Sequence, residues 1–394
     1  MDFAARLRAL MTEHGLGVRA LARQAPCDPA LISRLINRKQ CPSREIARRL
    51  DDVLEAGGEL VALASSPALR PILAGPGDIA DDEIAALELA RQAAASDVGA
   101  ATVERLERVT DELAVAYPGT PPGDLLERVR AYLAYTGRLV GARSTLTEHR
   151  RLLVTGGWLS LLAATCLIDL HRDRDALAHL RTAAQFAQET GHSEIAAWCL
   201  ETRAWQVLTA GDYQKAAQLA QGAQHTAPRG SSAYIQAIAQ EGRAWARLKA
   251  GTRTRNALAR VEKLVSPLPM PDQPEHHYRY DPAKSQAYVA TTLSWLGDPA
   301  AEDYARQVLA RLESAQDGPP RPRRAASARL DLSLALVVTG RHDEAAGTAL
   351  DAITSGRLVP SNYWRAREVI EAVSARGVPE ARELGEAYRE ICQD

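Results

Sequence analysis

The sequence predicts an all-α protein: a small N-terminal bundle of short helices followed by a long solenoid of helical hairpins. Three observations lead there. From Ile79 onward every long segment places apolar residues at helical spacing, and no run alternates β-branched and aromatic residues with the two-residue period of a strand. Only two Phe occur in 394 residues, and a core of Ala and Leu suits close helix–helix contact better than a sheet. Gly211, Gly251, Gly297 and Gly340 each close one apolar helical segment and open another, at intervals of 40, 46 and 43 residues. Such spacing marks a repeated two-helix unit.

Residues 1–64 read as four or five short helices separated by tight breaks. Within them, Val18 to Asn37 has the spacing of a helix-turn-helix. Leu21 and Ala25 on its first helix are placed to meet Ile32 and Leu35 on its second, and Ala22 is small where the two cross. Asp28 suits an N-cap and Pro29 a first helical residue, so the second helix starts there with its N-terminus open to phosphate or base edges. Arg38 to Ser43 is a basic turn, and Ser43 is placed to cap a further helix, Arg44 to Leu54.

The formal net charge of −1 conceals a gradient. Residues 1–49 hold ten Lys/Arg against four Asp/Glu, a net +6; residues 50–130 hold sixteen Asp/Glu against six Arg, a net −10; the remainder is +3. A basic head on a near-neutral body is the pattern of a nucleic-acid binder. One head of this size makes few phosphate contacts, so a homodimer on a palindromic double-stranded DNA operator is expected, with the helical body as the source of dimerisation. The acidic Asp81, Asp82 and Glu83 are expected to lie against a neighbouring basic head in the unbound state. The alternative is an interaction scaffold whose N-terminal bundle docks protein.

Over residues 3–63, Leu21-Ala22-Arg23, Ile32-Ser33-Arg34, Asn37 and Pro42-Ser43 followed by an amphipathic helix resemble the Xre/Cro–C1-type family of bacterial regulators. The resemblance implies that the second helix of the motif reads the major groove. Ala30, Leu31, Ser33 and Arg34 then face base edges, Asn37, Arg38 and Lys39 meet the phosphate backbone, and Arg19 does so from the start of the preceding helix. Arg34 is the strongest candidate for direct readout, because a guanidinium bonds O6 and N7 of guanine together. The chain departs from the family in three places. Pro26 stands at the turn glycine, Arg38 at the glycine after the recognition helix, and Val18 at a polar position. Pro26 cannot adopt positive φ, so the turn is expected to differ locally.

Residues 65–78, with Pro67, Pro71, Gly75, Pro76 and Gly77, are expected to be a linker, 79–142 connecting helices, and 143–394 the repeat domain. The best repeat unit runs Ala204-Trp205, Leu208, Gly211-Asp212-Tyr213, Ala216, Ala220, Ala223 and Pro228, and Ala244-Trp245, Leu248 and Gly251 echo its first part. This resembles the back half of a tetratricopeptide repeat, in which small residues let paired helices approach closely. The periods exceed the ~34 residues of the standard repeat, so longer helices are expected.

The body carries no Walker-type loop, HExxH or G-x-S-x-G, so an enzyme is not expected. The five cysteines form no CxxC pair and point to neither a disulfide framework nor zinc, and no cofactor or metal is expected. His276-His277, flanked by Pro269, Pro271, Pro274 and Pro282, reads as an exposed loop. In tetratricopeptide repeats the first helix of each unit lines the concave surface. On that likeness Glu201 with Trp205, and Glu241 with Trp245, form a recurring acid–aromatic pair for a peptide or small-molecule effector. Gly156-Gly157 is expected to bend a long helix and open a pocket beside Trp158.

Arg48 to Leu54 followed by Gly57-Gly58-Glu59-Leu60, and Gly156-Gly157-Trp158-Leu159, look like actinobacterial regulators that join an Xre-type helix-turn-helix to a tetratricopeptide-like sensor. That resemblance implies a sequence-specific transcriptional regulator. With no apolar run near the ~18 residues of a membrane span and no N-terminal signal, a cytoplasmic protein without a membrane partner is expected.

Overall fold

The computed structural model describes residues 3–37, 42–65, 95–271, 276–314 and 321–392. They are helical throughout, with no strand among them. The chain divides into two compact units, Met1–Ala90 and Arg91–Asp394.

The described part of the first unit comprises α1 (Phe3–Glu13), α2 (Val18–Gln24), α3 (Pro29–Ile36), α4 (Arg44–Val53) and α5 (Glu59–Ser65). Leu7, Leu21, Ile32, Leu50, Leu54 and Leu60 are fully buried in one core, and α1 packs on both α3 and α5. The expected contacts are present: Leu21, Ala22 and Ala25 share that core with Ile32 and Leu35. Asp28 accepts from Ala30 N at 2.9 Å with Pro29 at the first helical position, and Ser43 accepts from Ile46 N at 3.2 Å. The α2–α3 turn contains no left-handed residue, and Ala25, ahead of Pro26, is extended (φ −103°, ψ 92°) as a residue before proline prefers. Asp51 joins α4 to α5. Its buried carboxylate accepts from Gly58 N at 2.6 Å and Leu60 N at 2.7 Å across a turn whose Gly57 and Gly58 have φ of 62° and 93°.

The second unit is built of α6 (Ala100–Ala116), α7 (Pro122–Val140), α8 (Leu146–Asp169), α9 (Asp173–Thr190), α10 (Ser193–Thr209), α11 (Tyr213–Thr226) and α12 (Ser232–Arg247). It continues through α13 (Gly251–Val265), α14 (Pro282–Leu296), α15 (Ala301–Glu313), α16 (Pro322–Val338), α17 (His342–Thr354), a 3₁₀ turn (Pro360–Asn362), α18 (Tyr363–Ser374) and α19 (Ala381–Ile391). Each helix packs on the next, and each even-numbered helix from α6 to α16 also packs on the even-numbered helix after it. This is the helical-hairpin solenoid the periodicity predicts, with an inner layer of even helices. The two layers differ in burial. Of α11, only the stripe Ala216, Ala217, Ala220 and Ala223 is buried, whereas α12 is buried at every residue from 233 to 246 except Tyr234, including Gln236, Gln240, Glu241 and Arg243. A helix buried on all sides lies between layers rather than at the surface.

Two expectations about α8 are corrected. The helix runs unbroken through Gly156 and Gly157, where an added Cβ would meet Phe186 Cε2 at 3.0 Å and Ile195 Cδ1 at 3.1 Å. The glycines therefore admit α9 and α10 at close range and open no pocket. The helix is also long and apolar enough, by length and composition, to cross a membrane, but most of its apolar stretch is buried within the body.

The inner layer curves until its ends meet. Asp169, at the end of α8, accepts from Arg323 Nη2 of α16 at 2.5 Å, from Tyr117 Oη at 2.7 Å and from Ser361 Oγ at 2.9 Å. Arg323 in turn donates to the carbonyls of Tyr117 (2.9 Å) and Thr120 (3.2 Å), and His171 bonds the carbonyl of Pro360 (2.8 Å). Burial lowers the Arg323 pKa, but the charges and hydrogen bonds of Asp169 and Tyr117 together outweigh it and leave the guanidinium more firmly protonated than usual. Removing one partner of a buried ion pair strands the other. Asp169→Ala is therefore expected to cost the body about 3–5 kcal/mol in urea denaturation, and adding Arg323→Met to recover most of that loss.

Candidate nucleic-acid interface and the cavity of the repeat body

On α3 the buried Ile32 and Leu35 fix one face to the core, and the spacing then turns Ala30, Ser33, Arg34 and Asn37 to the opposite side. Ala30, Arg34 and Asn37 are exposed and Ser33 half-buried, while Leu31 leans into the core that holds the helix. Asn37 Nδ2 donates to the Ser33 carbonyl at 2.8 Å and reaches Ser33 Oγ at 3.5 Å, closing the helix end. Arg19 is exposed on the first turn of α2, and Arg23 Nε donates to its carbonyl at 3.3 Å. Arg38, Lys39 and Cys41 lie outside the described residues, as do Asp81, Asp82 and Glu83.

Residues 2–64 match the family model of a helix-turn-helix domain. The N-terminus is a helix-turn-helix domain. No curated protein matches the chain. Among solved structures, the chain is similar to Bacillus thuringiensis PlcR in complex with the peptide PapR7 and DNA, at 11% sequence identity and a TM-score of 0.23, with 98% of this chain and 92% of that chain covered.

Beyond the helix-turn-helix, the repeat body holds a partly open cavity of about 160 Å³ on its inner layer. Three consecutive inner helices supply most of its wall: Trp198, Glu201, Thr202 and Trp205 from α10, Gln236, Gln240 and Arg243 from α12, Lys284, Tyr288 and Thr291 from α14. The closure residues Asp169 and Arg323 complete it, with Asn362 and Arg365. The Arg243 guanidinium lies 4.6 Å from the Trp205 and Trp295 ring centres and 4.8 Å from that of Tyr288. Arg365 is anchored by Asp331 and by Ser327 Oγ at 2.6 Å. Glu201 accepts from Gln236 Nε2 at 2.8 Å, and burial holds its carboxyl above the ordinary range.

The structure separates the two acid–aromatic pairs. Glu201 and Trp205 line the cavity, but Glu241 and Trp245 face the α11–α13 side of α12. There Glu241 accepts from Gln221, Gln224, Trp245 Nε1 and Arg260; burial raises its pKa, and these donors outweigh burial and hold it low. The cause is register. Asp212 caps α11 and Ala250 caps α13, so the repeat offset here is 38 residues rather than the 40 that the glycines suggest. At that offset Trp198, Thr202 and Trp205 correspond to Gln236, Gln240 and Arg243, the residues that line the cavity. Trp158 is not a wall residue; its ring packs against Tyr278 (4.8 Å) and His192 (5.8 Å).

The segment predicted as an exposed loop is instead inserted into the body. His276, Tyr278 and Tyr280 are buried, with Tyr278 5.3 Å from Trp198 and His277 4.3 Å from Tyr117. Lys284 Nζ gathers the carbonyls of His276, His277 and Arg279 at 2.7–3.3 Å. The run of five ring and basic residues at 276–280 was the available signal, since an irregular segment this aromatic has much apolar area to bury. Among the described residues no group of three or more His, Cys, Asp or Glu is placed to hold a metal. Burial raises the Cys166 thiol and pushes Cys199 up to about 12.

Tyr278 N donates to His276 Nδ1 at 3.1 Å, so the ring proton sits on Nε2 and is donated to Asp111 at 3.0 Å. Burial pushes this imidazole down to about 4, despite Asp111. The folded state thus prefers the neutral ring, and its stability falls as pH drops below ~6.5, where the unfolded state takes up the proton. From pH 7 to 4.5 this histidine is expected to cost the body roughly 2 kcal/mol, and His276→Gln to flatten that part of the profile in pH-dependent urea denaturation.

Proposed function

We propose that the chain is a sequence-specific DNA-binding regulator of the Xre type, of which the repeat body dimerises and receives a signal. The observation that carries this reading is α3. Its start is capped at Asp28 and Pro29, its core face is locked by Ile32 and Leu35, and Ala30, Ser33 and Arg34 are turned outward. It belongs to a domain matching a helix-turn-helix model over residues 2–64, within a segment of net charge +6. In this reading Arg34 contacts a guanine edge, Ala30 and Ser33 lie beside it, and Leu31 offers only its exposed margin to a thymine methyl. Arg19, Asn37, Arg38 and Lys39 hold the phosphate backbone.

Two heads on a palindromic site gain effective concentration over one. Sedimentation equilibrium of the full chain is expected to give a dimer, and a duplex with two half-sites to bind far more tightly than one with a single half-site. In fluorescence anisotropy on a duplex selected from a random pool, Arg34→Ala is expected to lose about ten- to hundredfold in affinity for the selected site, with binding to random duplex unchanged. Arg19→Ala is expected to weaken all duplexes alike and to lower the salt slope by about one. A wild-type protein that prefers no sequence, or an Arg34→Ala variant that keeps its preference, contradicts the reading.

A further inference from the structure

The inner-layer cavity is lined by more cations than carboxylates. Six cations line it, Arg243, Lys284, Arg323, Arg324, Arg357 and Arg365, against the carboxylates of Asp169 and Glu201. Arg323 pairs with Asp169, and Arg365 with Asp331 behind the wall. Arg243 is different. It is 7% exposed, stacked among aromatic rings, and among the described residues it pairs with no carboxylate and makes one hydrogen bond, from Nη1 to Gln240 Oε1 at 3.3 Å. Glu201 and Asp331 act on it only through space, and burying a guanidinium without a directly bonded counter-charge is costly.

Several wall residues also carry buried polar atoms without a partner among the described residues. Arg243 Nε, Gln240 Nε2 and Trp198 Nε1 are buried donors with no acceptor among the described residues, on side chains 7%, 0% and 1% exposed. Two cavity acceptors, Gln236 Oε1 and Asn362 Oδ1, are likewise unpartnered. In folded proteins such groups are few, and each calls for a partner.

We infer that this cavity binds a small molecule carrying a compact oxyanion, a carboxylate or phosphate, together with a hydroxyl donor. The oxyanion accepts from Arg243, Gln240 and Trp198 and supplies the missing charge, the hydroxyl serves Gln236, and the aromatic rings exclude water around the pair. At about 160 Å³ the cavity has room for a compound of benzene-like size. Binding stands independently of the DNA-binding reading; only the role of the ligand as the regulator's effector rests on it.

The test is titration of the full chain at constant ionic strength with inorganic phosphate, malate and choline, followed by tryptophan fluorescence and by thermal shift. Phosphate or malate is expected to give a saturable change, and choline, a hydroxylated cation of similar size, none. Arg243→Met is expected to weaken binding at least about tenfold. Gln240→Glu places a carboxylate beside Arg243 within the fold, so it is expected to raise the melting temperature without ligand and to weaken oxyanion binding by a similar factor. No saturable response to either oxyanion overturns the inference. Equal binding by choline, unchanged affinity in both variants, or a lower melting temperature in Gln240→Glu also overturns it. DNA binding measured on the same protein fails or succeeds separately.

Discussion

The repeat body depends on one buried carboxylate. Asp169 ends α8, and three donors converge on it from separate parts of the chain: Tyr117 beyond α6, Arg323 on α16 and Ser361 in the 3₁₀ turn. A hairpin solenoid is ordinarily held only by nearest-neighbour packing, and its ends are left open. Here contacts across 52, 154 and 192 residues of sequence tie the first hairpins to the last. The inner face of an open stack becomes the wall of a chamber, which is why the inner helices hold buried Gln, Glu and Arg where outer helices hold alanine.

That closure also explains the inserted segment at His276–Tyr280. A curved inner layer leaves apolar space between α6, α8 and α10, and Tyr278 and His277 fill it against Trp158, Trp198 and Tyr117. Lys284 satisfies the carbonyls that an irregular backbone would otherwise bury unpaired. Polar and aromatic groups of the interior thus surround the cavity, with Arg243 stacked among the rings of Trp205, Tyr288 and Trp295.

Much of this was legible in the sequence, and the misses share a cause. The helix-turn-helix could be read to the residue because local rules fix it: a cap at Asp28, a proline at the first helical position, and apolar residues at steps that meet across one crossing. The solenoid could be read from its glycines, but the register of its inner face could not. Gly211 lies in an inter-helix turn with φ 89°, whereas Gly251 is the first residue of α13, so equating them shifted the α12 face from Gln240 and Arg243 to Glu241 and Trp245. Proline-rich flanks made 276–280 look exposed, and Gly156-Gly157 looked like a bend. In the last two cases a long-range contact, invisible to local pattern, decided the outcome. Asp169 itself gives no local signal, since its partners lie far away in sequence.

The most direct test of the closed inner layer is a distance measurement across it. Spin labels at the exposed positions Arg174, in the first turn of α9, and Thr354, the last residue of α17, report whether those segments stay together in solution. Double electron–electron resonance on the full chain should give a single narrow, short distance that broadens and lengthens in the Asp169→Ala background. A broad or long distribution in the otherwise unaltered protein would contradict closure, and with it the chamber around Arg243.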